Sequence, residues 1–210
     1  MPLLDNYKLK WRTSMNNFKW LNESKITENN GKITILAAEK SDFFRNPGAI
    51  GEDGITPDSL SNAPFYYADV TGDFVMKAKV SHDFKDIYDA ATLMVMENTQ
   101  IWAKACFELT DFNTHAVVSV VTNQISDDAN GCNIKGNSVW LQVARIGQTF
   151  AFHYSEDGEN FYMMRYFSLP VGETIKAGLI AQSPIGSGGE RHFENFSLES
   201  KTVKNLRVGK

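Results

Sequence analysis

Trp102, Lys104, Cys106 and Glu108 recur at every second position of the run Ile101–Leu109. Side chains alternate across a strand, so in an extended segment these four share one face, and Ile101, Ala103, Ala105, Phe107 and Leu109 share the other. The second set is wholly apolar and reads as a core face. The first places an aromatic ring, a cation and a carboxylate in one row. A sheet that binds a sugar would present such groups, the indole stacking on the ring while the ammonium and the carboxylate hydrogen-bond its hydroxyls. The competing reading is a solvated strand face on which Lys104 and Glu108 pair, worth only about 0–1 kcal/mol.

Further candidates lie elsewhere in the chain. Asp42-Phe-Phe-Arg45 sets a charged pair around two aromatics, and the fork of an Arg grips carboxylates. Alternatively Phe43 and Phe44 anchor a loop in the core, with Asp42 and Arg45 satisfied locally, and both readings stand. Tyr88 and Asp89 precede the first of three apolar runs. His153 shares a strand face with the small Ala151 and is placed to line a pocket, and Trp140 borders the same face or joins the core. Asp127 sits in Ser126–Asp128, followed by Asn130 and Asn133. These oxygens suit calcium, but the spacing matches no EF-hand, and Asp/Asn clusters build turns. A polar loop without metal is therefore expected here. His82, His115, His153 and His192 are scattered without metal-ligand spacing, and G-x-S-x-G, G-x-G-x-x-G and P-loop motifs are missing, so no cofactor is expected.

The elements that must position these residues read as strands almost throughout. Lys32–Leu36, Phe74–Val80, Thr92–Met96, Ala116–Thr122, Val139–Arg145, Thr149–Tyr154, Phe161–Phe167, Thr174–Ala181 and Phe193–Leu198 are short, rich in β-branched and aromatic residues, and bounded by turn chemistry. Phe74, Met76, Ala78 and Val80 alternate with Lys77 and Lys79, which predicts an inward and an outward face. Asp157-Gly158 between two aromatic runs is a hairpin signal. No segment keeps a helical period. Two irregular stretches remain, Asn46–Pro64 and Ser183–Gly189. The pattern predicts an all-β protein, a two-sheet antiparallel sandwich.

The chain has 210 residues, 42% hydrophobic and 22% charged, with a formal net charge of −4. That size suits one domain spanning residues 1–210, with a core that needs no staples. The acidic balance and the lack of Lys/Arg clusters argue against nucleic acid. No basic leader and no long apolar run is present, so a cytoplasmic protein without a membrane segment is expected. In that setting Cys106 in a strand and Cys132 in a Gly/Asn-rich loop should be free thiols, and the sequons at Asn22 and Asn195 are chance matches.

In chain order, Trp20–Glu23, Asp42–Arg45, Tyr88–Met96, Trp102–Lys104 with Glu108, Ser119–Thr122, Ser126–Asp127, Ser155–Gly158, Ser183–Pro184 and Phe193 form a set. The set resembles a family of concanavalin-A-like jelly-roll proteins, a domain of unknown function with a yeast relative described as a regulator of enolase. The resemblance runs from about Trp20 to Leu198. It implies a jelly roll with a concave sheet face, and ligand binding by Trp102, Lys104 and Glu108. Glucanases of this architecture carry closely alternating carboxylates on one strand. The Ile101–Leu109 run carries a single one, whereas glycoside hydrolysis normally needs two.

Three functions follow. The first is lectin-like binding of a carbohydrate or sugar metabolite by Trp102, Lys104, Glu108, Arg45, Asp42, Asp127, Tyr88 and His153. The second is regulatory interaction with a metabolic enzyme, as the resemblance implies. The third is a glycan-acting enzyme with Glu108 as acid or base and Asp42 or Asp127 as second carboxylate.

Overall fold

A computed structural model describes residues 17–46 and 59–210, so most of the expected Asn46–Pro64 loop lies outside the described residues. Sixteen strands are found among the described residues: β1 (Lys19–Leu21), β2 (Ile26–Asn29), β3 (Lys32–Ala37), β4 (Phe43–Phe44), β5 (Leu60–Ser61), β6 (Phe65–Thr71), β7 (Phe74–His82), β8 (Ala90–Asn98), β9 (Ile101–Leu109), β10 (His115–Asn123), β11 (Ile125–Asn133), β12 (Ser138–Ile146), β13 (Thr149–Ser155), β14 (Tyr162–Ser168), β15 (Thr174–Gln182) and β16 (Gly189–Ser200). They form two seven-stranded antiparallel sheets. The first has the order β1-β6-β15-β8-β9-β10-β11, the second β14-β13-β12-β7-β16-β3-β2, and β4 and β5 pair separately.

The alternation read from the sequence sets the layers. Ala103, Ala105 and Phe107 of β9 meet Phe74, Met76, Ala78 and Val80 of β7 and Val139, Leu141 and Val143 of β12 in one apolar cluster between the sheets. Trp102, Lys104, Cys106 and Glu108 therefore do share the other, outer face of the first sheet. At one end of that face the segment around β4 lies across the strands. Phe43, Phe65, Met94, Met96, Trp102, Val120 and Ile180 form a second cluster there. Phe43 meets the Trp102 indole edge-on, with ring centroids 6.1 Å apart. Trp102 is fully buried. This corrects the expectation that its indole is open for stacking, because distant segments supply a lid that spacing along β9 cannot reveal.

Ile125–Asn133 corrects another expectation. The stretch read as a polar loop, Cys132 included, is the strand β11, paired with β10 from Ala116↔Asn133 to Asn123↔Ile125 across one irregularity. As the edge strand of its sheet it can be polar on both faces, which is why it carries no hydrophobic alternation. Both cysteines are free, Cys106 buried and Cys132 exposed. No helix among the described residues is long and apolar enough to cross a membrane.

Buried polar groups fasten the loops at the strand ends. The Arg191 guanidinium, fully buried, meets Asp89 at 3.0 Å and donates to the Gln182 carbonyl at 3.0 and 3.1 Å. Ser183 Oγ donates to Asp89 at 2.6 Å. The His82 ring is satisfied in its neutral form: the Phe84 N–H donates to Nδ1 at 3.2 Å, so Nε2–H donates to the Phe107 carbonyl at 3.0 Å. Burial, followed by the nearby Arg191 charge, pushes its pKa down to about 3.

Two outcomes are expected. Trp102→Ala should destabilise the fold by about 3–5 kcal/mol in urea unfolding, as for other large aromatic truncations in a core. A change under about 1 kcal/mol would mean the indole is not packed. Second, the unfolded chain binds a proton at His82 below about pH 6.5 and the folded chain only near pH 3. The His82 contribution is therefore complete above about pH 6.5 and is lost as the pH falls, by about 2 kcal/mol at pH 5. His82→Gln should remove that part of the acid sensitivity. Parallel stability profiles for the two proteins would contradict it.

Candidate functional site

Beyond the β4 lid, the outer face of the first sheet stays open. The cross-strand neighbours of Glu108 are Ala90 on β8 and Ala116 on β10. These residues, Cys106 and Val118 form a small buried cluster. Such short side chains leave space above the sheet, and a pocket of about 220 Å³ occupies it. Sites for drug-sized ligands run to about 300–1,000 Å³, so this one suits a single small ring.

Its walls come from distant segments. Lys104, Glu108 and Val120 rise from the sheet. Asp42 and Phe44 come from the β4 segment, Tyr88 from the loop before β8, Asp111 and Phe112 from the β9–β10 turn, Asp128 and Asn130 from β11, and Gln182 and Pro184 from the end of β15. The β9–β10 turn is a tight one. Thr110 N–H donates to the Thr114 carbonyl at 2.9 Å, Asn113 N–H to the Thr110 carbonyl at 2.9 Å, and Asn113 takes φ 55°. Asn tolerates this left-handed conformation. The turn holds Phe112 out at 75% exposure beside the pocket.

Lys104 is the central cation, 2% exposed. Its ammonium donates to Asp42 Oδ1 at 2.6 Å and to Gln182 Oε1 at 3.0 Å. Gln182 is fixed in turn by its Nε2, which donates to the Tyr88 carbonyl at 3.3 Å. Asp42 Oδ1 also accepts the Phe43 N–H at 2.7 Å. Burial alone would push the Lys104 pKa down, but Asp42 and the other acidic groups outweigh it and hold the pKa above the ordinary lysine range. Burial pushes Asp42 upward against the pull of Lys104.

Glu108 differs. It is 8% exposed, lines the pocket, and makes no hydrogen bond or ion pair within the described residues. Burial first, then the charge of Asp128, pushes its pKa well above the usual glutamate range, and Lys104 offsets this only in part. Burial likewise raises Asp128. The pocket thus offers carboxyl groups at Glu108, Asp111 and Asp128, amides at Asn130 and Gln182, and aromatic rings at Phe44, Tyr88 and Phe112.

Of the residues expected from the sequence, Lys104, Glu108, Asp42 and Tyr88 come together in the pocket. The other four stand apart. Trp102 lies beneath Phe43, its ring 5.7 Å from the Lys104 Nζ. Arg45 turns to the β10–β11 corner, where its Nε donates to the Gln124 carbonyl at 2.9 Å. Asp127 accepts from Arg165 of the second sheet at 2.6 Å. Its neighbour Asp128 pairs with Val120, which pairs with Lys104, so parity puts Asp128, not Asp127, on the pocket face. His153 is fully buried on the second sheet, beside the Arg207 carbonyl at 3.3 Å, where burial lowers its pKa. Asp111, Phe112, Asn130 and Gln182 were missed as site residues. Phe112, a large apolar residue in the polar turn Thr110–Thr114, is the one that carried a visible signal.

Among solved structures, a functionally unknown protein from Saccharomyces cerevisiae superposes with a TM-score of 0.79 at 25% identity, covering 91% of this chain and 100% of that one. The carbohydrate binding module CBM66 from Bacillus subtilis superposes at 0.54 with 13% identity, covering 89% of this chain and 98% of that one. That second likeness shows the jelly-roll sandwich alone. In sequence the chain is 27% identical over 197 residues to regulation of enolase protein 1 of Saccharomyces cerevisiae, covering 92% of this chain and 95% of that one. Residues 20–201 match the family described as protein of unknown function, DUF1349, and the chain belongs to that family.

Proposed function

We propose that this protein binds a small carbohydrate or sugar metabolite in the pocket above β8, β9 and β10. The observation that carries the reading is Glu108, a buried carboxyl group facing the pocket without a hydrogen-bond partner among the described residues. Leaving a polar group unpaired in a partly dry site costs about 1–3 kcal/mol, and a ligand hydroxyl that bonds to it recovers that cost. The remaining lining supports a polyhydroxy ring. Amide and carboxyl groups share the lining with three aromatic residues, Phe44, Tyr88 and Phe112, and the volume fits one ring rather than a chain. The fold shared with a carbohydrate binding module is consistent with this reading without carrying it.

A second reading, action on a metabolic enzyme, rests on the name of the yeast relative. The two are compatible, since a protein that senses a sugar metabolite can pass its bound state to an enzyme. For catalysis, Glu108 and Asp128 on one pocket are the pair to consider, because Asp42 is committed to Lys104 and Asp127 to Arg165.

A thermal-shift screen of neutral mono- and disaccharides tests the binding reading. A ligand at about a hundredfold over its Kd adds about 2.7 kcal/mol, which raises the melting temperature of a chain this size by several degrees. Phe112→Ala, at an exposed position, should leave the unliganded stability within about 0.5 kcal/mol and weaken the ligand-induced shift. A full shift in Phe112→Ala would remove Phe112 from the site, and no shift with any sugar would contradict the proposal.

A further inference from the structure

The charges around the pocket are unequal. Among the described residues, four carboxyl groups line it, on Asp42, Glu108, Asp111 and Asp128, against one ammonium, and no Arg or His does. That ammonium is already engaged by Asp42 and Gln182. Glu108, Asp111 and Asp128 have no ion-pair partner among the described residues, although other surface acids do: Asp69 pairs with Lys19, Asp83 with Lys85, and Asp127 with Arg165. Unpaired acids also occur elsewhere on the surface, but here three of them border one cavity.

Glu108 is a second, separate observation at the pocket. It is more than nine-tenths buried, carries no hydrogen bond among the described residues, and points into the cavity. A phosphate or carboxylate entering here would face three carboxyl groups and find Lys104 occupied. A protonated amine would find a carboxyl acceptor on whichever side it lay, at Glu108, Asp111 or Asp128, and the rings of Phe44 and Phe112, to which a cation is also attracted. A bare metal ion is a poorer match, because no cluster of metal-ligating side chains is found among the described residues.

We propose that the ligand of this pocket is a sugar or similar polyol bearing a protonated amine, and that phosphorylated and acidic sugars are excluded. The proposal rests on the sugar-binding reading above and narrows it. Burial and Asp128 both push the Glu108 carboxyl upward, and a cation beside it would relieve that strain and let it ionise.

The test is calorimetric titration of the full chain with matched sets. Glucosamine, galactosamine and mannosamine are each compared with the parent hexose, the N-acetyl derivative and the 6-phosphate, at a pH where the amine is protonated. At least one amino sugar should bind about tenfold or more tightly than its parent and its N-acetyl form. That advantage should shrink as salt is raised. Asp128→Asn, a near-isosteric substitution on the edge strand, should reduce the advantage while the far-UV circular dichroism spectrum stays that of the parent protein. Equal or tighter binding of a parent, N-acetyl or phosphorylated sugar would overturn the amine inference and leave sugar binding standing. Calcium chloride alone, if it stabilised the protein as much as the best sugar, would overturn it by giving the charge to a metal. Binding by no member of any set would overturn both readings.

Discussion

The buried ammonium of Lys104 is the constraint on which the pocket side of this molecule depends. A lysine in the middle of a sheet face, 2% exposed, is tolerable only if its charge is matched. The match comes from Asp42, sixty-two positions earlier, at 2.6 Å, with Gln182 as second acceptor. The pair thus draws the β4 segment onto the sheet. Once there, Phe43 closes over Trp102, and one end of the outer face becomes a second core. The other end, floored by Ala90, Cys106, Ala116 and Val118, remains open. One ion pair divides a continuous strand face into a sealed half and an open half.

The other buried charges clarify what sets Glu108 apart. The three guanidinium nitrogens of Arg145, Nε, Nη1 and Nη2, donate to the carbonyls of Gly147, Glu173 and Gly172, and Arg191 is held by Asp89, Asp83 and the Gln182 carbonyl. Those networks use their hydrogen-bonding capacity on the protein itself, tying turns to strand ends. They are structural, and replacing either Arg would leave carbonyl groups bare. Glu108 spends none of its capacity on the described protein. Natural interiors rarely leave a carboxyl in that condition without a use for it.

Much of this was legible in the sequence. The period-2 alternation of Ile101–Leu109 and Phe74–Val80 correctly divided inner from outer faces, because each strand is long and buried on its apolar side. The row of Lys104 and Glu108, with Asp42 and Tyr88, is present at the pocket. What failed depended on partners far along the chain. Trp102 has the right parity for the outer face, but whether an outer face meets solvent or Phe43 and Phe65 is decided by segments far earlier in the chain. β11 has no hydrophobic period because an edge strand with two polar faces needs none. Its hydrogen-bond register, which selects Asp128 over Asp127, cannot be read from composition. His153 followed a correct strand assignment onto the wrong sheet, since alternation gives a face and says nothing about which layer the strand joins.

Glu108 is a carboxyl facing the pocket without a hydrogen bond among the described residues, and its own titration is the most direct measurement. Carbon-13 NMR of the side-chain carboxyl, assigned by comparison with Glu108→Gln, would follow it with pH in the free protein and with a bound sugar. The account predicts a midpoint well above the usual glutamate range in the free protein, and a clear displacement of the resonance and its midpoint when ligand enters. A Glu108 carboxyl that titrates like an ordinary surface glutamate, unmoved by a sugar that stabilises the protein, would contradict it.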